Sequence, residues 1–252
     1  MVPAALIKLK NRLAGDVFGR GEIARWAAEH VASIGDRPAG VLDVGLGECE
    51  DLLAIRAATT GHALNLYGVE FDPSRIARAH GHGIDVLTVN LERQTIPLED
   101  ASLDVVLSNH VIEHLKEIFH FFSEVSRILR PGGIAIIGFP NLGSWHNRIA
   151  LLFGFQPPCM RVLGSHVRGF TIPGFRDFIV CGGFFRVRQI KGRAFHLAPG
   201  ASNGWLASAV PGLAVGVHFV LERTKKPGRF IEVLDMGVPG MGDTPYFRGA
   251  DE

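Results

Sequence analysis

Residues 41–49, VLDVGLGEC, contain the most informative motif of this chain. Its apolar first half predicts a buried strand, and Gly45 and Gly47 predict a tight turn that opens the next helix. Glycine adopts backbone angles that a side chain forbids, and it lets a ligand come close to the main chain. We therefore expect a ligand-binding turn at the carboxyl end of the first strand of a parallel sheet.

Strand and helix patterns alternate on both sides of this turn. Strands are predicted at 41–45, 64–71, 84–90, 103–108, 134–139, 184–190 and 215–223. Helices are predicted at 50–59, 73–80, 115–129, 145–152 and 172–181. The alternation indicates an α/β fold with a mainly parallel sheet and helices on both faces.

The chain divides into three parts. Residues 1–38 predict an N-terminal helical segment, with helical spacing from Ile7 to Ile34. Residues 39–224 predict one domain with an acceptor-side insertion at about 141–171, and residues 225–252 an extended or partly disordered tail rich in glycine and proline. The uncharged run 194–221 is broken by glycine and proline, so we expect an apolar loop and a last buried strand rather than a membrane span.

Composition excludes several classes of function. The 252 residues include 26 basic and 25 acidic side chains, a balance that disfavours a duplex nucleic-acid binder. The three cysteines form no C-x-x-C pair, so we expect no metal site and a reducing compartment. The N-terminus makes a poor signal peptide, and we predict a cytoplasmic protein with at most peripheral membrane contact.

The ligand at the glycine turn is not predicted to be a dinucleotide. The fingerprint G-x-G-x-x-G requires glycine where Glu50 stands, and a carboxylate there would repel a pyrophosphate. A nucleoside that carries an amino acid and no phosphate fits better. Glu70 ends the second strand, where an acid accepts hydrogen bonds from ribose hydroxyls. Phe71 is placed to stack on adenine, and Asn90 and Leu91 to contact its ring.

Several further motifs continue the pattern. YGVEFDPSRIARA, TVNLE, IPLEDASLDVVLSNHVIEHL and EVSRILRPGGIAIIGFPN follow VLDVGLGE in the order and spacing of the class I S-adenosylmethionine-dependent methyltransferases. The chain resembles that family closely over residues 40–140 and more loosely to residue 223. It looks most like the small-molecule branch that includes the ubiquinone-biosynthesis type enzymes. The resemblance implies a Rossmann-like, doubly wound, seven-stranded sheet of order 3-2-1-4-5-7-6 with strand 7 antiparallel.

The resemblance also implies S-adenosylmethionine as the cofactor and assigns its contacts by position. Asp43, Gly45 and Gly47 match the amino-acid end, Glu70 the ribose acid, and Asn90 and Leu91 the adenine contacts. Ser108, Asn109 and His110 match the segment beside the methionine moiety. One departure is Cys49, which replaces the third glycine of the family's D-x-G-x-G-x-G pattern; because its side chain is larger than hydrogen, it is expected to narrow the cofactor pocket.

Residues on the acceptor side are predicted by position and chemistry. His110 is the candidate general base, because imidazole titrates near neutral pH. His110 and His114 are four apart and would share one face of a helix, a spacing that could suggest a metal pair. The resemblance instead implies that Glu113 and His114 cap and brace the helix start, so we expect no metal there. The insertion offers four candidate substrate contacts: Asn141, Trp145, His166 and Arg168. His166 and Arg168 would suit an anionic acceptor, with a solvated loop as the equal alternative; core packing is the alternative for Trp145.

These features predict a methyltransferase of class EC 2.1.1 that acts on a small-molecule or lipid/glycan-linked acceptor by in-line methyl transfer. The main alternative is a non-catalytic S-adenosylmethionine-binding scaffold or regulatory protein of the same fold. A nucleic-acid methyltransferase ranks low, because SNHV at residues 108–111 lacks the N/D-P-P-Y/F tetrapeptide of enzymes that flip a base. The sequence leaves the oligomeric state open.

Overall fold

A seven-stranded sheet forms the centre of the protein. The computed structural model describes residues 18–198, 201–202 and 204–237. The strands are β1 (Ala39–Val44), β2 (Leu64–Val69), β3 (Asp85–Leu87), β4 (Leu103–Asn109), β5 (Leu129–Pro140), β6 (Phe185–Arg193) and β7 (Gly216–Arg223). Their order is 3-2-1-4-5-7-6, and β7 runs antiparallel to both β5 and β6. The predicted fold class, strand order and direction of strand 7 are confirmed.

Seven α-helices accompany the sheet within the described residues. They are α1 (Arg20–Ala32), α2 (Glu50–Ala58), α3 (Pro73–Gly81), α4 (Ile118–Ile128), α5 (Trp145–Leu152), α6 (Ile172–Val180) and α7 (Gly204–Ala209). Short 3-10 helices span Ile112–His114, Pro158–Met160, Cys181–Gly183, Pro211–Leu213 and Phe230–Asp235. A small separate hairpin pairs His196–Ala198 with Ala201–Ser202.

The central strands are buried on both faces because an apolar layer covers each side of the sheet. Every residue of β1 is buried. Leu42 and Val44 contribute to one layer, which contains the aromatic side chains of α4, while Ala39 and Val41 contribute to the other, beneath α1 and α2. Successive residues of a strand point to opposite faces, so a continuous apolar run fills both layers.

Several predicted elements differ from the structure at their ends. The helix predicted at 115–129 begins at Ile118, because the Glu117 carboxylate accepts hydrogen bonds from the N–H groups of Phe119 and His120 and caps the helix there. The strand predicted at 84–90 is limited to Asp85–Leu87. The N-terminal helix begins at Arg20, after Gly19 in the left-handed conformation; residues 1–17 of the predicted segment lie outside the described residues.

The tail differs from the prediction in its first part. Residues 230–235 form a 3-10 helix in which Phe230 and Val233 are fully buried, so they are neither extended nor free of the core. The N–H of Phe230 donates to Ser126 Oγ of α4 at 2.9 Å. A single aromatic residue within a glycine- and proline-rich stretch gives no periodic signal, which is why the sequence did not reveal this contact. Residues 238–252 lie outside the described residues.

Candidate functional site

The loop between β1 and α2 is packed on one side and open on the other. Gly45 and Gly47 both have positive φ, 86° and 51°. The N–H groups of Gly45 and Leu46 donate to the carbonyl of Val69 at 3.2 and 3.0 Å, which ties the loop to β2. A Cβ on Gly45 would lie 2.5 Å from Val111 Cγ2, whereas a Cβ on Gly47 would meet only a carbonyl oxygen at 3.9 Å. The Gly47 side therefore leaves room for a ligand.

Cys49 closes this loop in a conformation that favours glycine. Its φ of 64° is left-handed, and it precedes the first turn of α2. The side chain is fully buried and belongs to the apolar layer that also holds Leu52 and Ile55. Burial raises the pKa of the Cys49 thiol, and the charges of Asp43 and Glu70 raise it further, so the thiol is held in its unreactive form.

Glu70 follows β2 and faces the glycine loop. Its Oε1 accepts hydrogen bonds from the N–H groups of Phe71 and Asp72 at 2.8 and 3.0 Å. Its Oε2 accepts from the N–H of Gly47 at 3.2 Å and from Arg75 at 3.4 Å. The carboxylate is thus fixed beside the loop at the predicted ribose position. The Phe71 ring is 58% exposed, an arrangement available for stacking on a flat ligand.

Asp43 lies at the carboxyl end of β1 and is buried. Burial raises the pKa of this carboxyl well above its usual value, and the negative charge of Asp51 raises it further. A cation placed beside Asp43 would favour the ionised form and reverse part of this shift. The site therefore suits a positively charged group better than a phosphate.

The residues after β3 are arranged as a turn. Asn90 is exposed, and its side-chain oxygen accepts a hydrogen bond from the N–H of Glu92 at 2.9 Å. Its own N–H donates to the Gln94 side chain at 2.7 Å. Leu91 is buried in the apolar layer beside α4. The predicted adenine-contact residues thus stand at the sheet edge on which Glu70 also lies.

A polar network that the sequence analysis missed lies at the end of β4. Asn109 Nδ2 donates to the carbonyl of Phe18 at 3.1 Å and to Asp51 Oδ2 at 3.0 Å. Its Oδ1 lies 3.2 Å from Nε2 of His218 on β7, which must therefore carry the proton. Burial lowers the pKa of His218 to about 3, so this ring is neutral. Ser108, one residue earlier, is fully buried, and its hydroxyl has no partner among the described residues.

His110 is held in a definite orientation. Its backbone is left-handed, with φ of 59°, and its Nδ1 lies 3.2 Å from Glu113 Oε1. The Phe18 ring meets the imidazole edge-to-face at 5.2 Å. Because a carboxylate accepts the Nδ1 proton, Nε2 is left with the lone pair, and it is buried with no partner in the described part of the chain. His110 precedes the 3-10 helix that contains His114, so the two residues are not on one α-helical face.

Two of the predicted substrate contacts of the insertion, Asn141 and Trp145, make contacts within the protein. Asn141 is buried, with Nδ2 donating to the carbonyl of Ala214 at 2.9 Å and Oδ1 accepting from the N–H of Gly143 at 2.9 Å. Trp145 stacks on Phe195 with ring centroids 6.2 Å apart. Asn141 and Trp145 thus hold the insertion against the segment between β6 and β7, at Ala214 and Phe195 respectively.

His166 and Arg168 lie on the segment that passes beside the end of β4. His166 Nδ1 lies 2.8 Å from the carbonyl oxygen of Cys159, and Arg168 Nη2 donates to the carbonyl of Lys116 at 2.7 Å. The N–H groups of Val167 and Arg168 both donate to the carbonyl of Glu113, at 2.8 and 3.2 Å. The structure therefore brings the insertion next to the loop of His110 and Glu113.

Together these groups form an acidic sheet edge with an open glycine loop. The carboxylates of Asp43, Asp51 and Glu70 lie around it, and Arg20 forms an ion pair with Glu50 at the start of α2. Acidic groups attract an ammonium or sulfonium and repel a pyrophosphate. The residues present therefore fit S-adenosylmethionine, with Glu70 for its ribose and Asp43 on the side of its amino acid.

Comparison with known proteins agrees with this geometry. Residues 42–137 match a methyltransferase domain family. Over these residues the chain is similar to S-adenosylmethionine-dependent methyltransferases. The chain is 39% identical, over 40% of its length, to a probable S-adenosylmethionine-dependent methyltransferase of Mycolicibacterium smegmatis. It is 35% identical, over 61% of the chain, to a similarly named protein of Mycobacterium tuberculosis. The chain spans 38% and 55% of the lengths of these two relatives.

Solved structures of methyltransferases share the fold of this chain. A SAM-dependent methyltransferase from Archaeoglobus fulgidus superposes with a TM-score of 0.55 at 19% identity, covering 81% of this chain and 94% of that one. At this identity the likeness concerns the fold alone. None of the helices that the structure describes combines the length and apolar character needed to cross a bilayer.

Proposed function

We propose that this chain binds S-adenosylmethionine at the glycine loop and transfers its methyl group to a small-molecule or lipid/glycan-linked acceptor. The observation that carries the proposal is the placement of Glu70, whose carboxylate is fixed beside the open face of Gly47. The match of residues 42–137 to a methyltransferase domain family and the raised pKa of Asp43, which suits a cationic ligand, support it. The free thiols Cys49, Cys159 and Cys181 support a cytoplasmic location.

The proposed chemistry requires alignment more than activation. When bound, S-adenosylmethionine supplies a methyl group on a sulfonium, which is an excellent leaving group, so the protein mainly positions the acceptor in line. Glu70 orients the ribose, and Ser108 and Asn109 flank the methionine moiety. His110 receives the acceptor proton at Nε2 while Glu113 holds Nδ1, an arrangement that gives the base the correct tautomer.

A lipid-linked acceptor is supported by the surface of the insertion. Large apolar side chains stand exposed close together in sequence at the end of α5 and in the loop that follows: Leu151, Leu152, Phe153, Phe155, Val162 and Leu163. Exposed apolar groups at such density mark a surface that contacts a membrane, a ligand or another protein. We propose that they contact the lipid part of the acceptor or the membrane surface. Within the family, we place the chain in the small-molecule branch rather than among nucleic-acid enzymes.

Calorimetry with S-adenosylmethionine and S-adenosylhomocysteine tests the cofactor site. We expect micromolar binding by the wild type and a loss of at least about 100-fold in Glu70→Ala, on the order of 3 kcal/mol, because hydrogen bonds to a charged group are the strong ones. Glu99→Ala is the matched control, since this exposed glutamate lies in the loop before β4. Absence of binding by the wild type would refute the proposal.

Turnover separates the enzyme from the non-catalytic alternative. Methyl transfer to anionic sugars or lipid-linked intermediates that is lost in His110→Ala, with cofactor affinity preserved, would support catalysis with His110 as the base. Tight cofactor binding without transfer to any acceptor of these classes would favour the scaffold or regulatory protein of the same fold.

A further inference from the structure

Three metal-binding side chains meet where the insertion crosses the loop after β4. Glu113, His114 and His166 each offer one ligand atom, and these atoms all lie within 4.8 Å of one another. The crossing is held by the hydrogen bonds from the N–H groups of Val167 and Arg168 to the carbonyl of Glu113. The cluster therefore joins two segments that are far apart in sequence, and it lies outside the predicted cofactor contacts.

Both imidazoles are held in the tautomer that metal ligands adopt. Nδ1 of His114 lies 3.1 Å from the carbonyl oxygen of Ser165, and Nδ1 of His166 lies 2.8 Å from that of Cys159. A carbonyl oxygen can only accept, so each Nδ1 carries the proton and each Nε2 keeps its lone pair. Donation of the other ring N–H to a backbone carbonyl is the usual outer-shell support of a metal-binding histidine.

The carboxylate of Glu113 provides a second, independent indication. Glu113 is 2% exposed, and its Oε2 has no hydrogen-bond partner among the described residues. Its Oε1 lies 3.2 Å from His110 Nδ1, which leaves Oε2 to a further ligand. A buried carboxylate oxygen is costly when unpaired, and a divalent cation beside two histidines would satisfy it.

We propose that Glu113, His114 and His166 bind a divalent transition-metal ion of the zinc class. Two imidazole nitrogens and one carboxylate oxygen are a donor set that leaves a coordination position for an outside oxygen. Zinc lies about 2.0–2.2 Å from such donors, so the side chains must close by on the order of 1 Å from their present separation. Closure of this size is within reach because His114 is exposed on its segment and His166 is only half-buried.

The proposed ion would activate the acceptor, an inference that rests on the proposed function. Its open position would take a hydroxyl oxygen of the acceptor, and the bound hydroxyl would release its proton more readily. That oxygen would then bond to the methyl carbon of S-adenosylmethionine while the carbon–sulfur bond breaks and its electron pair goes to sulfur. The proton would leave to water. The substrate class is therefore an acceptor with an ionisable hydroxyl group.

Metal titration of the untagged, chelator-treated chain tests the site without reference to activity. We expect one equivalent of Zn²⁺ by calorimetry and a visible absorption band with Co²⁺. His114→Ala and His166→Ala should each weaken binding by at least about 100-fold, since loss of an outer-shell partner alone costs 10–100-fold. His80→Ala, an exposed histidine on α3, is the matched control and should bind as the wild type does.

Two results would overturn the site: wild-type protein that binds neither ion, or binding that survives in the double variant of His114 and His166. Circular dichroism and S-adenosylmethionine calorimetry on the same variants show that the fold and the cofactor site remain intact. A chain that binds Zn²⁺ through these residues but no S-adenosylmethionine would uphold the metal site while refuting the proposed function.

Discussion

The region that contains the predicted cofactor site, residues 39–140 (the cofactor half), and the insertion, about 141–171, differ in how they are held in the fold. In the cofactor half, β1 is buried throughout and the predicted site residues stand where strands end. The insertion has one α-helix, α5, of which Asn147 is the only buried residue, and Leu152 at its end is 80% exposed. The first region is fixed by a buried sheet. The second is held by a few polar contacts, so substitutions should affect the two regions differently.

The largest effect is expected in the glycine loop of the cofactor half. Gly45→Ala should lower the free energy of unfolding by about 3 kcal/mol, because it adds left-handed strain and a clash with Val111. Gly47→Ala has the same sign of φ but open space around it, and should cost only about 1 kcal/mol. Urea denaturation of both variants makes the comparison. Equal losses would show that close packing does not fix this loop.

This pair of glycines illustrates how much the sequence could predict. Gly45 and Gly47 were recognised because glycine in a turn after a buried strand has a local meaning. The strand order was implied by the resemblance to the class I methyltransferases, because the alternation of strands and helices indicates a mainly parallel sheet without fixing the order of its strands. The start of α4 was misplaced because a cap at Glu117 outweighed the apolar pattern before it. Local patterns thus gave the elements, while their ends depended on individual hydrogen bonds.

A smaller effect, dependent on pH, should arise where β7 meets the cofactor half. Burial lowers the pKa of His218 to about 3, while the unfolded chain titrates near 6.5. The unfolded state therefore binds more protons than the folded state below about pH 6.5, so the free energy of unfolding decreases as the pH is lowered. Lowering the pH from 7 to 5 should reduce the contribution of His218 to the free energy of unfolding by about 2 kcal/mol.

The variant His218→Gln isolates this contribution. It retains a donor for Asn109 but has no titrating ring, so its stability should fall by about 2 kcal/mol less than that of the wild type over the same pH interval. Any opposing effect of Asp43, whose raised pKa favours the folded state as pH falls, is present in both proteins and cancels. Parallel stability curves would mean that His218 is accessible to protons in the folded state.

The polar network around His218 also shows where sequence reasoning stops. Asn109 was predicted by its position after β4, but its partners Phe18 and His218 come from distant segments. The same holds for His166, whose proximity to Glu113 and His114 depends on the path of the insertion. No local pattern encodes which loop crosses which strand end. Contacts between remote segments required the three-dimensional structure.

Restoring glycine at Cys49 tests how much this departure from the D-x-G-x-G-x-G pattern costs in stability and in cofactor affinity. Cys49→Gly relieves left-handed strain but removes a buried side chain and adds backbone freedom, so we expect a net loss of about 1 kcal/mol. Because the side chain lies in the apolar layer, affinity for S-adenosylmethionine should change less than about twofold. Ala101→Gly, at an exposed residue with φ of 51°, should instead be neutral or slightly stabilising. Markedly tighter binding by Cys49→Gly would mean that the thiol narrows the pocket.

The smallest effect on stability is expected from substitutions in the insertion, which should instead have the largest effect on binding to lipid vesicles. Leu152→Ser with Leu163→Ser should change the free energy of unfolding by less than about 0.5 kcal/mol, since both side chains are exposed. Co-sedimentation with phosphatidylcholine–phosphatidylglycerol vesicles should fall severalfold, while Met236→Ser, an exposed apolar residue outside the insertion, should leave it unchanged. If the wild type stays in the supernatant, the exposed side chains serve a contact other than lipid. If the double variant unfolds more easily, the insertion is packed more firmly than its exposure indicates, and the contrast with the cofactor half fails.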